Sequence, residues 1–380
     1  MVEFTHMVMG PSCGMVFADL GAEVIKVEPP KGDGTRHLLG AGAGFYPLFN
    51  RNKKSLVLDL QTDQGREAAM KLIATADIVS HNFRPETMAA QGLDYASLKK
   101  LNPRLIYIAL KGFLPGPYEH RTALDEVVQM MGGLAYMTGP AGQPLRAGSS
   151  VNDIMGGMFG AMAGMAALAQ RASTGLGQEV QSALYENNIF LVAQHMMQYA
   201  VTGQKADPMP NRISAWAVYD VFTVKNGEQI FLSAVSDKQW LLMCDAFGLD
   251  ELKTNPNYAT NNARVRQRPT LLPQLRDCFA AYSAQELADI FEAHGLPYAP
   301  IKAPHELMDD PHLVASGGLA PITLPDGRPA NTVLLPIAMD GQRMGVRMDA
   351  PALGEHSSEI LQSLGYSAEQ ARALSATKQA

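Results

Sequence analysis

The sequence predicts an alternating α/β domain on a parallel sheet, followed by a smaller α+β region. Three observations predict it. The chain opens with MVEFTHMVMGP, a short strand ending in Gly10-Pro11; residues 11–20 then read as a helix closed by Gly21, and residues 22–30 alternate like a strand and stop at two prolines. Such a βαβ unit implies a parallel sheet with ligands beyond its strand C-termini. Strand and helix patterns go on alternating as far as Arg171. After a polar, proline-containing piece over residues 204–214, the composition shifts to a hairpin over 217–235 with Asn226-Gly227 at its turn.

Taken in order, the elements follow from local chemistry. The first turn lacks GxGxxG, and GAGAG at 40–44 has no strand running into it, so neither is a dinucleotide fingerprint. KGDGTRHL carries Arg36. LFNRNKKSLVLDLQTDQG holds a basic cluster, an apolar alternation, and a helix start at Thr62 or Asp63. A helix over 64–75 leads to a strand at 77–80 and the loop HNFRPE. A short helix at 98–101 precedes a strand within 102–113, and another helix begins near Leu124. Gly175 and Gly177 turn the chain into a strand and a long helix ending at Gly203. In the second region helices are expected at 238–247, 270–282 and 284–294, with a strand-like return over 295–304. The tail has a turn at Asp326-Gly327, an extended segment and a final helix.

Composition restricts the function. With 380 residues, two domains are expected. A formal net charge of -6 argues against nucleic acid or an anionic membrane as the main partner. Cys13, Cys244 and Cys278 form no CxxC pair, and the histidines include no HExxH, so no metal is expected. The chain shows neither a signal-peptide pattern nor an apolar run suited to lipid, which predicts a cytoplasmic protein.

The chain is organised around GSSVNDIMGGMFGAMAGMAALAQR, residues 148–171. Its glycines and alanines predict a buried helix that other backbones approach closely, with Met and Leu filling the remaining space. Asp153 falls at or near the N-cap, where amide donors and the helix dipole favour an anion. A carboxylate there can cap the helix, act on something bound above it, or do both.

ADLGAEVIKVEPPKGDGTR, NRNKKSLVLDLQTDQG, ADIVSHNFRPE, LNPRLIYIALKGF, VNDIMGG, RASTGLGQEV and LGEHSSEIL together resemble family III CoA-transferases. That family includes formyl-CoA:oxalate and carnitine CoA-transferases and the related alpha-methylacyl-CoA racemases. The resemblance spans nearly the whole chain. It implies a Rossmann-like large domain of residues 1–203 and 325–380, with a linker at 204–215, an inserted small α+β domain at 216–303 and a return linker at 304–324. It also implies an interlocked homodimer. Relatives begin several residues before the stretch matching residues 2–4, so either a shortened start or a shortened first strand is expected.

The resemblance makes Asp153 the nucleophile, with coenzyme A and its acyl thioester as substrate, a small organic acid as partner, and no prosthetic group. Along CoA it places His6, Val8 and Met9, largely through backbone, then Arg36 at a phosphate, Leu58 and Gln61 on the adenine side, and Asn82, Phe83 and Arg84 in the next loop. Thr122 and Asp125 fall beside the pantetheine arm. Gly156 and Gly157 are expected on the substrate side, where their amides could serve the oxyanion, with helix packing alone the equal alternative. Gln61 stands where a lysine is customary, and Arg84 replaces a small residue. Arg146, Asn211 and Arg212 suggest a carboxylate-bearing substrate, with ordinary surface charge the other reading. Two alternatives stay open: a 2-methylacyl-CoA racemase, disfavoured because Leu124 stands where the racemase has a proton-transferring histidine, and a CoA-binding homologue without turnover.

Overall fold

The computed structural model describes residues 1–212 and 214–376. Ile213, in the expected linker, and residues 377–380, at the end of the expected large domain, lie outside the described residues. The chain divides into two compact units, Met1–Pro210 with Pro311–Ala380, and Asn211–Asp310.

The larger unit is built on a six-stranded, wholly parallel sheet. Its strands are β1 (Val2–Phe4), β2 (Val24–Glu28), β3 (Lys53–Val57), β4 (Ile78–His81), β5 (Ile106–Lys111) and β6 (Glu179–Ala183). They lie in the order β3-β2-β1-β4-β5-β6. The chain winds outward from β1, returns, and winds the other way from β4. That reversal opens a crevice between β1 and β4 at the strand C-termini.

Strand alternation sends Val2, Phe4, Val27, Leu56, Val79 and Tyr107 to one face, against the helix Asp63–Ala74 and the tail helices. Ile78, Ile106, Ile108 and Leu110 go to the other face, against the first helix (Met9–Asp19) and the long helix (Val151–Thr174). Thr62 caps the helix Asp63–Ala74 by accepting from the Gly65 amide at 3.1 Å, at the helix start that the sequence predicted.

The basic cluster at 51–54 turns inward. Lys53 pairs with Glu3 at 2.8 Å and Arg51 with Asp19 at 2.6 Å, all four side chains buried. Lys26 pairs with Asp33 at 2.9 Å and also donates to the Thr5 carbonyl. These pairs neutralise charge inside the unit, and removing one partner of such a pair strands the other in the interior.

The stretch expected as a return linker is structured. It holds a 3-10 turn, Pro304–Asp309, a helix, Pro311–Ala315, and a strand, Leu319–Thr323, paired antiparallel with Pro329–Val333. The strand LAPIT is short and contains proline. Its pairing depends on the partner across the predicted Asp326-Gly327 turn, where Gly327 has φ 85°.

The smaller unit is a three-stranded antiparallel sheet of Val218–Thr223, Gln229–Ala234 and Tyr298–Pro300, in that spatial order. Helices Asp237–Phe247, Arg268–Phe279 and Ala284–Ala293 cover it around Trp240, Phe222, Phe279 and Phe291. Asn226 and Gly227 both have positive φ, as a tight two-residue hairpin turn requires. The sequence did not announce the helices Asp250–Thr254 and Asn261–Arg266. They are short and polar, and the second is held by buried Arg264, which donates to the Tyr258 carbonyl and pairs with Asp237.

Candidate active site

The long helix sits against the first helix with almost no gap, and its glycines are the reason. A Cβ on Gly157 would collide with Ser12 Oγ and lie 2.7 Å from the Met9 carbonyl oxygen. On Gly160 it would lie 2.5 Å from Leu110 Cδ2, and on Gly164 2.6 Å from Ile108 Cδ1. This contact draws the first turn of the long helix to the start of the first helix. Ser12 Oγ donates to the carbonyl of Met9 at 2.9 Å and reaches that of Asp153 at 3.5 Å. Asp153 thereby stands beside the chain leaving β1, at the ligand end of the sheet. The opposite side of the long helix is open: Met158, Met162 and Met165 are exposed, so this helix is buried on one face only.

Asp153 is the third residue of the helix, and its side chain is not the cap. Ser150 occupies the N-cap position without a side-chain cap bond. The cap comes from another helix, Asp125–Met131. Asp125 Oδ1 accepts from the Asn152 amide at 2.7 Å and from the Asp153 amide at 3.2 Å. Its other oxygen accepts from Gln129 Nε2, and Gln129 Oε1 accepts from the Ala147 amide at 2.8 Å. A carboxylate at these amides satisfies orphan donors and meets the positive end of the helix dipole.

The Asp153 carboxyl itself makes no hydrogen bond among the described residues. Burial pushes it up to about 7, helped by the negative charges of Asp125 and Glu126 and opposed by Arg146. A carboxyl held this way is a stronger base and nucleophile once ionised than an ordinary aspartate.

At the C-terminal ends of β1 to β4, on the sheet face away from this helix pair, lies a cavity of about 280 Å³. Phe4, Val27, Glu28, Leu58, Gln61, Phe83 and Met88 help to line it. Phe83 in its wall packs against His6, with ring centroids 4.8 Å apart. The turn after β1 is pinned from the loop after β4. Asn82 Oδ1 accepts from the His6 amide at 3.0 Å, and Asn82 Nδ2 donates to the His6 carbonyl at 2.8 Å. Met7, next in line, is exposed and adopts φ 62°, a left-handed conformation unusual for a side chain other than glycine or asparagine. An apolar, aromatic-edged cavity at a topological switch point suits a flat ring with a charged tail.

The family model of CoA-transferase family III matches residues 1–357. The chain belongs to CoA-transferase family III. A succinate–glutarate CoA-transferase of Agrobacterium fabrum is 32% identical over 376 residues, spanning 96% of this chain and 94% of its own. A succinyl-CoA–D-citramalate CoA-transferase of Chloroflexus aurantiacus is 32% identical over 370 residues, spanning 96% and 92%. The crystal structure of a CaiB/BaiF family protein from Brucella suis superposes with a TM-score of 0.84 at 33% identity, covering 96% of this chain and 97% of that one. The protein is an enzyme of CoA transfer, taking CoA thioesters and carboxylic acids as substrates. No helix among the described residues is long and apolar enough to cross a membrane.

For a CoA-transferase, the placement of the expected contacts is uneven. Leu58, Gln61 and Phe83 come together in the cavity, with His6 against Phe83. The side chains of Val8 and Met9 are core residues, leaving only their backbone for a ligand. Asn82 spends both polar atoms on the His6 backbone, so it shapes the turn instead of reaching outward.

Arg36 is not a free phosphate anchor. It makes a double bond pair with buried Glu28, at 2.9 and 2.6 Å, donates to the Pro351 carbonyl and to the Tyr46 hydroxyl, and lies 3.9 Å from the centre of the Tyr46 ring. Releasing it would leave the buried Glu28 carboxylate with the Ser55 hydroxyl, the Asp33 amide and the nearby charge of Lys26, but without its own ion-pair partner. Arg84 stays on the surface, donating to Thr122 Oγ1 at 2.9 Å. Asp125 is 5% exposed and engaged with two amides and Gln129, so it caps the long helix.

Gly156 and Gly157 are buried against Met9, Ser12 and Asn187, the packing role that the sequence also allowed. Leu124, just before Asp125, is 57% exposed and carries no proton-transferring group. His120 lies on the surface beside Glu119. Gln129 was missed, although its spacing of four from Asp125 on a helix is a legible hydrogen-bonding pair.

Proposed function

We propose that this enzyme moves CoA between dicarboxylic acids, with Asp153 as the nucleophile. The observation that carries the reading is the Asp153 carboxyl: unbonded, partly buried and raised to about 7, on a turn locked by Asp125. Names of related enzymes supply the acid class, since succinate, glutarate and citramalate each carry two carboxylates.

The ionised Asp153 oxygen attacks the thioester carbonyl carbon. The C–S bond breaks and CoA leaves as thiolate, giving a mixed anhydride. The thiolate attacks the Asp153 carbonyl carbon of that anhydride, the donor acid departs as carboxylate, and an aspartyl-CoA thioester remains. The acceptor carboxylate attacks this thioester and expels the thiolate again. The thiolate then takes the acceptor's acyl carbon, and Asp153 returns as a carboxylate. Every step exchanges one carboxylate or thiolate for another, so water is a competitor to be excluded.

The nucleotide end of CoA occupies the cavity at Leu58, Gln61 and Phe83, with Arg84 at its phosphates. The working unit is a homodimer. The exposed apolar side chains of the two longest helices, among them Met158, Met162, Phe190, Met196 and Met197, form the kind of patch that a second subunit covers. Three free thiols fit a reducing compartment such as the cytoplasm.

The test is mass spectrometry of protein mixed with succinyl-CoA. A hydroxylamine-labile adduct is expected on Asp153 in the wild type and absent in Asp153→Ala. Near wild-type transfer by that variant overturns the assignment.

A further inference from the structure

We propose that Arg146 receives the second, non-reacting carboxylate of a dicarboxylic acyl group, and so sets the enzyme's preference for such acids. This rests on the transfer reading above. Asp153 lies in a negative neighbourhood, with Asp125 capping its turn and Glu126 next to Asp125 in sequence. A substrate carboxylate entering here meets three acidic groups, and the one cation acting on Asp153 is Arg146.

Its position is set by the same bonds that hold Asp153. Arg146 precedes Ala147, whose amide donates to Gln129 Oε1, and Gln129 donates in turn to Asp125. Arg146 Nε donates to the Ala147 carbonyl at 3.1 Å, which turns the guanidinium toward the helix Asp125–Met131. There it pairs with Glu126, and the two side chains are 37% and 51% exposed.

Glu126 is a placeholder that can be exchanged. An exposed pair of this kind is worth little, and Glu126 returns to water at small cost when a substrate carboxylate takes its place. A guanidinium fork matches a carboxylate with two parallel bonds. Arg146 acts on the non-reacting carboxylate. Two donors on the attacking one would occupy the lone pairs that must form the new C–O bond. The buried cations of this unit, Lys53, Lys26 and Arg51, are committed to internal carboxylates, whereas Arg146 is half-exposed and its charge acts on Asp153.

The experiment compares the rate of adduct formation on Asp153 from succinyl-CoA and from butyryl-CoA, which has the same chain length and no second carboxylate. It uses the wild type, Arg146→Gln and Glu126→Gln. The wild type is expected to favour succinyl-CoA by about tenfold or more, the value of one charge-assisted bond. Arg146→Gln is expected to abolish that ratio: both thioesters lose the small effect of its charge on Asp153, and succinyl-CoA alone is slowed further. Glu126→Gln, which frees Arg146, is expected to raise the ratio. A wild type that reacts equally with both, or an Arg146→Gln variant that keeps the preference or slows both equally, overturns the assignment of Arg146. A wild type that forms no adduct with either thioester overturns the Asp153 reading on which it rests.

Discussion

Replacing Asp153 by asparagine should abolish transfer and, above neutral pH, make the protein more stable. The asparagine keeps the size of the side chain and the capped turn, but it cannot ionise. The wild-type carboxyl is raised from its ordinary 3.8 to about 7, first by burial and then by Asp125 and Glu126. Because the folded value lies above the unfolded one, the wild type loses stability as pH rises from about 4 to about 7, and loses no more beyond. At about 1.4 kcal/mol per tenfold, the upper bound of that loss is about 4 kcal/mol. The carboxyl is partly open to solvent, so screening reduces it to roughly 1–2 kcal/mol. The assay is the thermal midpoint of both proteins at one concentration, at pH 4.5 and pH 8, since oligomerisation makes midpoints concentration-dependent. The variant should gain on the wild type between the two pH values by an amount the other carboxylates cannot supply, as they are common to both. A gap that is the same at both pH values would refute the claim that Asp153 is held in a desolvated, acidic setting.

Other perturbations test neighbouring parts of the argument. Asp125→Asn keeps an oxygen for the amides of Asn152 and Asp153 but removes a like charge, so the acid limb of the transfer rate should move to lower pH; an unmoved limb would exclude that coupling. Gly157→Ala should cost about 1–3 kcal/mol or more in unfolding experiments, because its methyl group meets Ser12, Met9 and Cys13 at once. Arg36→Ala should lower stability by about 2–3 kcal/mol, because buried Glu28 loses its ion-pair partner and keeps only Ser55, the Asp33 amide and the charge of Lys26, a loss visible in a melt without any ligand. With a 2-methylacyl-CoA in heavy water, no deuterium should enter the alpha carbon, since Leu124 offers no base; rapid uptake without CoA exchange would return the enzyme to the racemase reading.

Element order was legible because its causes are local. Alternation with period two, the helix start at Thr62, Asn226-Gly227 and the proline pair closing β2 act within a few residues of themselves. The small-residue run marked the long helix, and motif spacing carried the family and the position of Asp153. What the sequence left open was partnership. Arg36 reads as a loose cation until β2 brings Glu28 beside it. Asp153 reads as a cap until the fold delivers Asp125, 28 residues earlier, to the same amides. Gly156 and Gly157 read equally as open to substrate or as packing until the first helix closes over them. An ionised or amide group in an interior must be paired wherever its partner lies along the chain. The residue type states the need, and only the packing of distant segments chooses which group meets it.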